Sequence, residues 1–147
     1  TNSTTVIDNG SMAFNFTYGS GTTSGAVNSA YYTTGTISSG ETVTYDLFSL
    51  NRTVFGSNLN TSLSGGRLKV LNIENLSTNS GYDIRLLSTG SPDFPSLLGV
   101  TGAYIAAESN LLFSNKIGFI IGNARNIRLQ NISNTGITFE MAILGSV

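Results

Sequence analysis

Ile137-Thr138-Phe139-Glu140-Met141-Ala142-Ile143 decides the fold class. Its large apolar side chains fall at every second position, with Thr138, Glu140 and Ala142 between them. A two-residue period is that of an extended strand, whose side chains alternate between faces, and not of a helix stripe. The segment reads as a half-buried strand. The same alternation recurs upstream: Ile127 and Leu129 around Arg128; Tyr82, Ile84 and Leu86 around Asp83 and Arg85; Val43, Tyr45 and Leu47 around Thr44 and Asp46. Residues 67–76, RLKVLNIENL, break the rule. Leu68 and Val70 share one parity, Leu71 and Ile73 the other. This strand is either buried on both faces or interrupted by a bulge near Val70–Leu71.

Turn chemistry falls between these runs. Ser39-Gly40, Ser64-Gly65-Gly66, Asn79-Ser80-Gly81 and Asn134-Thr135-Gly136 each supply a residue that tolerates positive φ. The best helical signal is one short stretch, residues 93–98, with Pro95 suited to a first turn. Many short strands separated by turns predict an all-β protein: a single β-sandwich of jelly-roll type over residues 37–147. Residues 1–36 are denser in Thr, Ser, Gly and Asn. They are expected to form an extended N-terminal arm or peripheral strands, with Phe14, Phe16 and Tyr18 alternating around Asn15 and Thr17.

Composition narrows the chemistry. Of 147 residues, 10% are charged, with 7 Lys+Arg against 8 Asp+Glu, and there is no His, Cys or Trp. Without Cys there is no disulfide framework and no thiolate site, which fits a reducing compartment. Without His there is no Ser-His-Asp triad and no imidazole metal ligand. A net charge of -1 does not suit a nucleic-acid surface. No apolar run approaches a membrane span, and Thr1 is not followed by a signal-peptide pattern. Hydrophobic content of 39% sets the chain apart from disordered sequences.

Nothing in the spacing of the eight acids marks a hydrolytic pair. Glu74, Asp83 and Glu140 sit between apolar neighbours and should face solvent. Asn58 and Asn60 lack the acids of a calcium loop. Gly118 and Gly122 bracket a β-like run, so a bulge or close backbone approach explains them better than phosphate binding. Asn-x-Ser/Thr sequons are frequent, among them those at Asn15, Asn51, Asn60, Asn75 and Asn131, and are what so Asn- and Ser-rich a chain produces by chance. The expectation is a protein that is not an enzyme and takes no metal or cofactor.

Apolar residues where loops should be are the most informative feature. Phe94, Leu97 and Leu98 lie between Gly90-Ser91-Pro92 and Gly99; Leu111-Leu112-Phe113 follows, and Val54-Phe55-Gly56 is a third case. They either cap the open ends of the sandwich or form contacts with other subunits. The candidate interface set is therefore Phe14, Phe16, Tyr18, Phe55, Phe94, Leu97, Leu98, Leu111, Leu112 and Phe113.

The order of motifs carries a resemblance over residues 36–146. Ser-Gly-Glu-Thr-Val-Thr-Tyr-Asp-Leu at 39–47 precedes Phe55-Gly56, RLKVLNIENLS at 67–77, FPSLLG at 94–99, GFIIG at 118–122 and the ending GITFEMAILGS at 136–146. This order resembles small virion proteins of tailed bacteriophages, in which a "YDL" strand leads to "FG", a central "KaIvIeNls" strand, an apolar "F-x-S-x-x-G" loop and a final alternating strand. The polar Asn72 departs from the more aliphatic central strand of that group. The resemblance implies a capsid decoration, cement or minor head protein. Its partners would be the major capsid protein and copies of itself, as a trimer, on the capsid surface after synthesis in the host cytoplasm. It brings no catalytic residues, nucleic acid or membrane. The alternative is a carbohydrate- or receptor-binding module of a tail or fibre, using Tyr31, Tyr32, Tyr45, Tyr82 and Tyr104.

Overall fold

The computed structural model describes residues 18–88, Asp93 and residues 102–147. Phe14, Phe16, Phe94, Leu97, Leu98 and the short helical stretch beyond Asp93 lie outside the described residues. Every regular element among those described is a strand. In chain order they are β1 (Gly19–Ser20), β2 (Ala26–Val27), β3 (Ser29–Ile37), β4 (Thr42–Asp46), β5 (Leu50–Val54), β6 (Ser57–Thr61), β7 (Arg67–Asn75), β8 (Ile84–Leu87), β9 (Ala103–Ile105), β10 (Ser109–Ile120), β11 (Asn126–Asn131) and β12 (Ile137–Ser146).

Eight of these build two four-stranded antiparallel sheets, ordered β10-β7-β12-β3 and β4-β11-β8-β9. With the β5–β6 hairpin set aside, the pairing is nested. β3 pairs with β12, β4 with β11, β7 with β10, and β8 with β9. The chain runs out and returns along itself as a two-stranded ribbon. Folding that ribbon over adds the pairs β12–β7 and β11–β8. The alternating apolar residues then face one another. Ile37, Leu68, Leu71, Ile73, Phe139, Met141 and Ile143 from the first sheet meet Ile84, Leu86, Ile105, Ile127 and Leu129 from the second in one cluster. The expected alternation of β12 is observed in full, with Ile137, Phe139, Met141 and Ile143 all buried.

Of the two readings left open for this segment, burial on both faces or a bulge near Val70–Leu71, the structure has a bulge, one residue earlier than placed. Leu144 of β12 pairs with Val70 but Gly145 pairs with Leu68, which leaves Lys69 without a β12 partner. That extra residue flips the parity, so Leu68 and Leu71 both reach the core. The boundary drawn at residues 36/37 falls inside β3, so residues 29–36 belong to the first sheet. Leu111-Leu112-Phe113, expected as loop, is part of β10. Leu111 and Phe113 pack against the core and Leu112 turns out to solvent.

Candidate interaction surfaces

The β5–β6 hairpin projects from the two sheets into solvent. Its root is fixed by Leu47, Leu50 and Leu63, all buried, and by a Leu63 N–H to Leu47 O bond of 2.8 Å. Beyond the root, residues 51–53 and 55–60 are exposed on both faces. The hairpin is held by cross-strand polar pairs. Asn60 Nδ2 donates to Asn51 Oδ1 at 2.7 Å and to Ser49 Oγ at 3.0 Å, and the Thr53 hydroxyl donates to Asn58 Oδ1 at 2.9 Å.

Val54 pairs with Ser57, so Phe55-Gly56 is a two-residue turn. Both have positive φ, 49° and 79°, as a type I′ turn requires. Gly56 adopts that backbone freely. For a bulky residue such as Phe55 it is an outlier that costs about 1–3 kcal/mol. Its ring is fully exposed and packs against no core residue among those described.

Beside the hairpin lies a cleft of about 500 Å³, lined by Tyr32, Thr33 and Thr34 of β3 and by Asn51, Arg52 and Thr53 of β5. Arg52 is the only charged residue of the hairpin and makes no salt bridge among the described residues. Tyr32, half exposed, rises from the outer face of the first sheet. Its hydrogen bond to the Glu140 carboxylate, assisted by burial and by the charges of Glu140 and Glu74, holds the phenol above its ordinary range. Glu140 and Glu74 are themselves register partners on that face.

The opposite edge of the first sheet is β10. Here residues 115–118 oppose Lys69 alone, since Ser114 pairs with Val70 and Phe119 with Leu68. Asn115 Oδ1 ties the bulge by accepting from the N–H groups of Ile117 (2.9 Å) and Gly118 (3.2 Å). Gly118 has φ +89° and no room for a side chain, because a Cβ there would lie 2.8 Å from Arg67 Cβ. The bulge places Ile117 and Ile120 in solvent, at 65% and 70% exposure. It also aims backbone carbonyls at Lys69. That side chain, 1% exposed, donates to Lys116 O (2.7 Å), Ile117 O (3.0 Å) and Thr23 O (3.3 Å). Lys69 therefore fastens the β1–β2 loop to the sheet instead of pairing with an acid. Tyr18 lies nearby and shares a 2.7 Å hydrogen bond with Ser114 Oγ.

On the second sheet, Arg128 Nη1 contacts both oxygens of the buried Asp93 at 3.1 and 3.2 Å, and Asp93 bridges to Asn126. Arg125 pairs with Asp46 at 3.2 Å and stacks over Phe48; Arg85 stacks over Tyr104. The five tyrosines of the carbohydrate alternative form no common platform. Tyr31 is buried, Tyr45 and Tyr82 are half-buried, and the exposed Tyr32 and Tyr104 belong to different sheets.

Two structural residues escaped the sequence reading. Asn75 ends β7 and donates to Tyr82 O (2.7 Å) and to Ile105 O of β9 (3.0 Å), while accepting from Ser77 N–H. Asn131 ends β11 and donates to Ile37 O of β3 (2.8 Å) and Thr135 O (2.6 Å), while accepting from Ser133 N–H and Oγ. Each amide bonds from one sheet to the other. Both are fully buried, so neither sequon presents its amide to a glycosylating enzyme in the folded state. The signal was the repeated Asn-x-Ser at the end of an apolar strand.

Of the candidate interface residues within the described chain, Leu111, Leu112 and Phe113 share β10 with Tyr18 close by, and Phe55 stands apart on its hairpin. No family model matches the chain, and no curated protein does. Among solved structures, it is similar to a chain described as "Cyanophage Pam1 capsid asymmetric unit", at 16% identity and a TM-score of 0.39 over 96% of each chain. So loose a superposition does not establish a common fold.

Proposed function

We propose that this chain is a structural protein of a tailed-phage virion, a decoration or cement protein that holds capsomer junctions through contacts with the major capsid protein and with copies of itself. The observation that carries this reading is the exposure of large apolar side chains on a nearly uncharged body. Phe55 stands on the hairpin tip, and Ile117 and Ile120 stand along the edge strand β10. Water disfavours such groups, and a covering partner turns that penalty into binding energy. The surrounding amides and hydroxyls can be buried with hydrogen-bond partners at lower cost than ions.

The nested pairing supports a jelly roll, eight strands in two sheets, which is an architecture that recurs in viral capsids. The motif order of residues 36–146 supports the phage setting. The test uses purified heads of the phage carrying this gene, assembled with and without the protein, and compares their release of DNA on heating or dilution of salt. Cementing predicts earlier release without the protein and its restoration on adding it back. Heads that neither bind the protein nor change in stability would remove the reading.

A further inference from the structure

We propose that Phe55 is the anchor of a twofold contact between two copies of this chain, each ring entering the cleft beside the other copy's β3. The contact deepens the reading above and takes its biological setting from it, but self-association can be measured with no heads present.

The turn itself is the first argument. A type I′ turn is best made by Asn-Gly, which adopts two positive φ angles readily. This chain places a phenyl ring at the first position, with φ 49° and full exposure. The ring therefore works against the hairpin that carries it, and its use lies outside the single chain.

The second argument is the position of the cleft. Its lining residues Asn51, Arg52 and Thr53 are on β5, the strand that leads into the knob, two to four residues before it. A knob and a hole on one element are the elements of an isologous contact, in which residue i meets residue j and j meets i about a twofold axis. The cleft also suits a phenyl ring. Arg52 brings a guanidinium with no salt bridge among the described residues, able to lie over an aromatic face. Tyr32 supplies an exposed ring for an edge contact. One aromatic residue and one cation among amides and hydroxyls are a poor fit to a lipid surface, where binding scales with buried apolar area and basic charge.

Light scattering and sedimentation over a roughly thousand-fold range of concentration should show a monomer–dimer equilibrium. Phe55→Asn should weaken it at least about tenfold. Because Asn-Gly is the favoured turn pair, this variant should melt no lower than the native chain, which separates lost contact from lost fold. Arg52→Ala should weaken the dimer as well. A mixture of the two variants should form a heterodimer tighter than the Phe55→Asn homodimer, since the mixed pair regains one intact knob-and-cleft contact. A native chain that stays monomeric throughout, a trimer unaffected by Phe55→Asn, or a mixture no tighter than Phe55→Asn alone would overturn the proposal. Head binding that survives in a monomeric Phe55→Asn variant would leave the cement reading standing on its own.

Discussion

Asn131→Ala should be among the more damaging single substitutions in this protein, although it deletes only an amide at the end of a strand. The side chain makes four hydrogen bonds between 2.6 and 2.8 Å. Each is worth about 1 kcal/mol net, and more where a buried partner is left unpaired. One loss is softened, because Thr135 O keeps the Ser133 hydroxyl as a donor at 2.9 Å. The expected total is about 3 kcal/mol. At this chain length that is a fall of roughly 6–12 °C in Tm. The assay is urea unfolding at neutral pH, with melting as a second reading. Asn58→Ala, an exposed amide bonded to Thr53, is the control and should cost under about 0.5 kcal/mol. Asn131→Asp sharpens the test. It keeps the shape but turns an oxygen toward the carbonyls of Ile37 and Thr135, and it buries a charge. It should be worse than alanine at neutral pH and should recover part of the loss in acid, where a protonated carboxyl can donate once. If Asn131→Ala costs less than about 1 kcal/mol, the amide does not stitch the sheets and the cross-sheet argument fails. Asn75→Ala removes three comparable bonds and should behave alike, at about 2 kcal/mol.

Lys69→Met should cost about 2 kcal/mol, because Thr23 O and Ile117 O lose a charged donor while Lys116 O retains Gly25 N–H. Amide hydrogen exchange should rise first at residues 21–25 and 115–118; a uniform rise across the core would refute the latch. Tyr45 titrates above its ordinary value of 10.0 because it is partly buried and lies beside Tyr31, against a smaller opposing hydrogen bond to Thr33. A raised pKa in the folded state means that stability is complete below pH ~10 and declines above it, as the unfolded chain releases the proton that the folded chain keeps. Tyr45→Phe should flatten part of that alkaline decline in Tm, with Tyr32 supplying a weaker, exposed contribution of the same sign.

The elements legible in the sequence are those where a single physical demand acts on every second residue. β12 and β11 have one face in the core and one in water, and their alternation shows it. In β7 the bulge was legible as a broken parity, and the structure moves it by one residue, to Lys69. Gly118 was legible as a bulge glycine for the same reason, since only close backbone approach explains a glycine inside a β-like run. The hairpin was harder. With residues 51–53 and 55–60 all in solvent, no burial imposes a period on them, so only the two-residue Phe55-Gly56 turn could have marked it. β10 was masked by its own bulge, which breaks the alternation after Phe113 and sends Ile117 and Ile120 outward.

Lys69 and Asn131 resisted reading for a different reason, and they show where sequence pattern ends. A polar residue in an apolar strand normally faces water, and nothing in the sequence around Lys69 marks it as an exception. What buries it is the set of carbonyls left over when residues 115–118 pass a single residue of β7, and those carbonyls exist only once the register is set. Asn131 likewise answers to Ile37 O, 94 positions away, a group that meets it only after the ribbon has folded back. Both are consequences of topology acting on backbone groups that every sequence carries. Phe55 inverts the relation. No backbone group and no core contact among the described residues calls for its fully exposed ring, which is why the proposed contact seeks its cause in a second molecule.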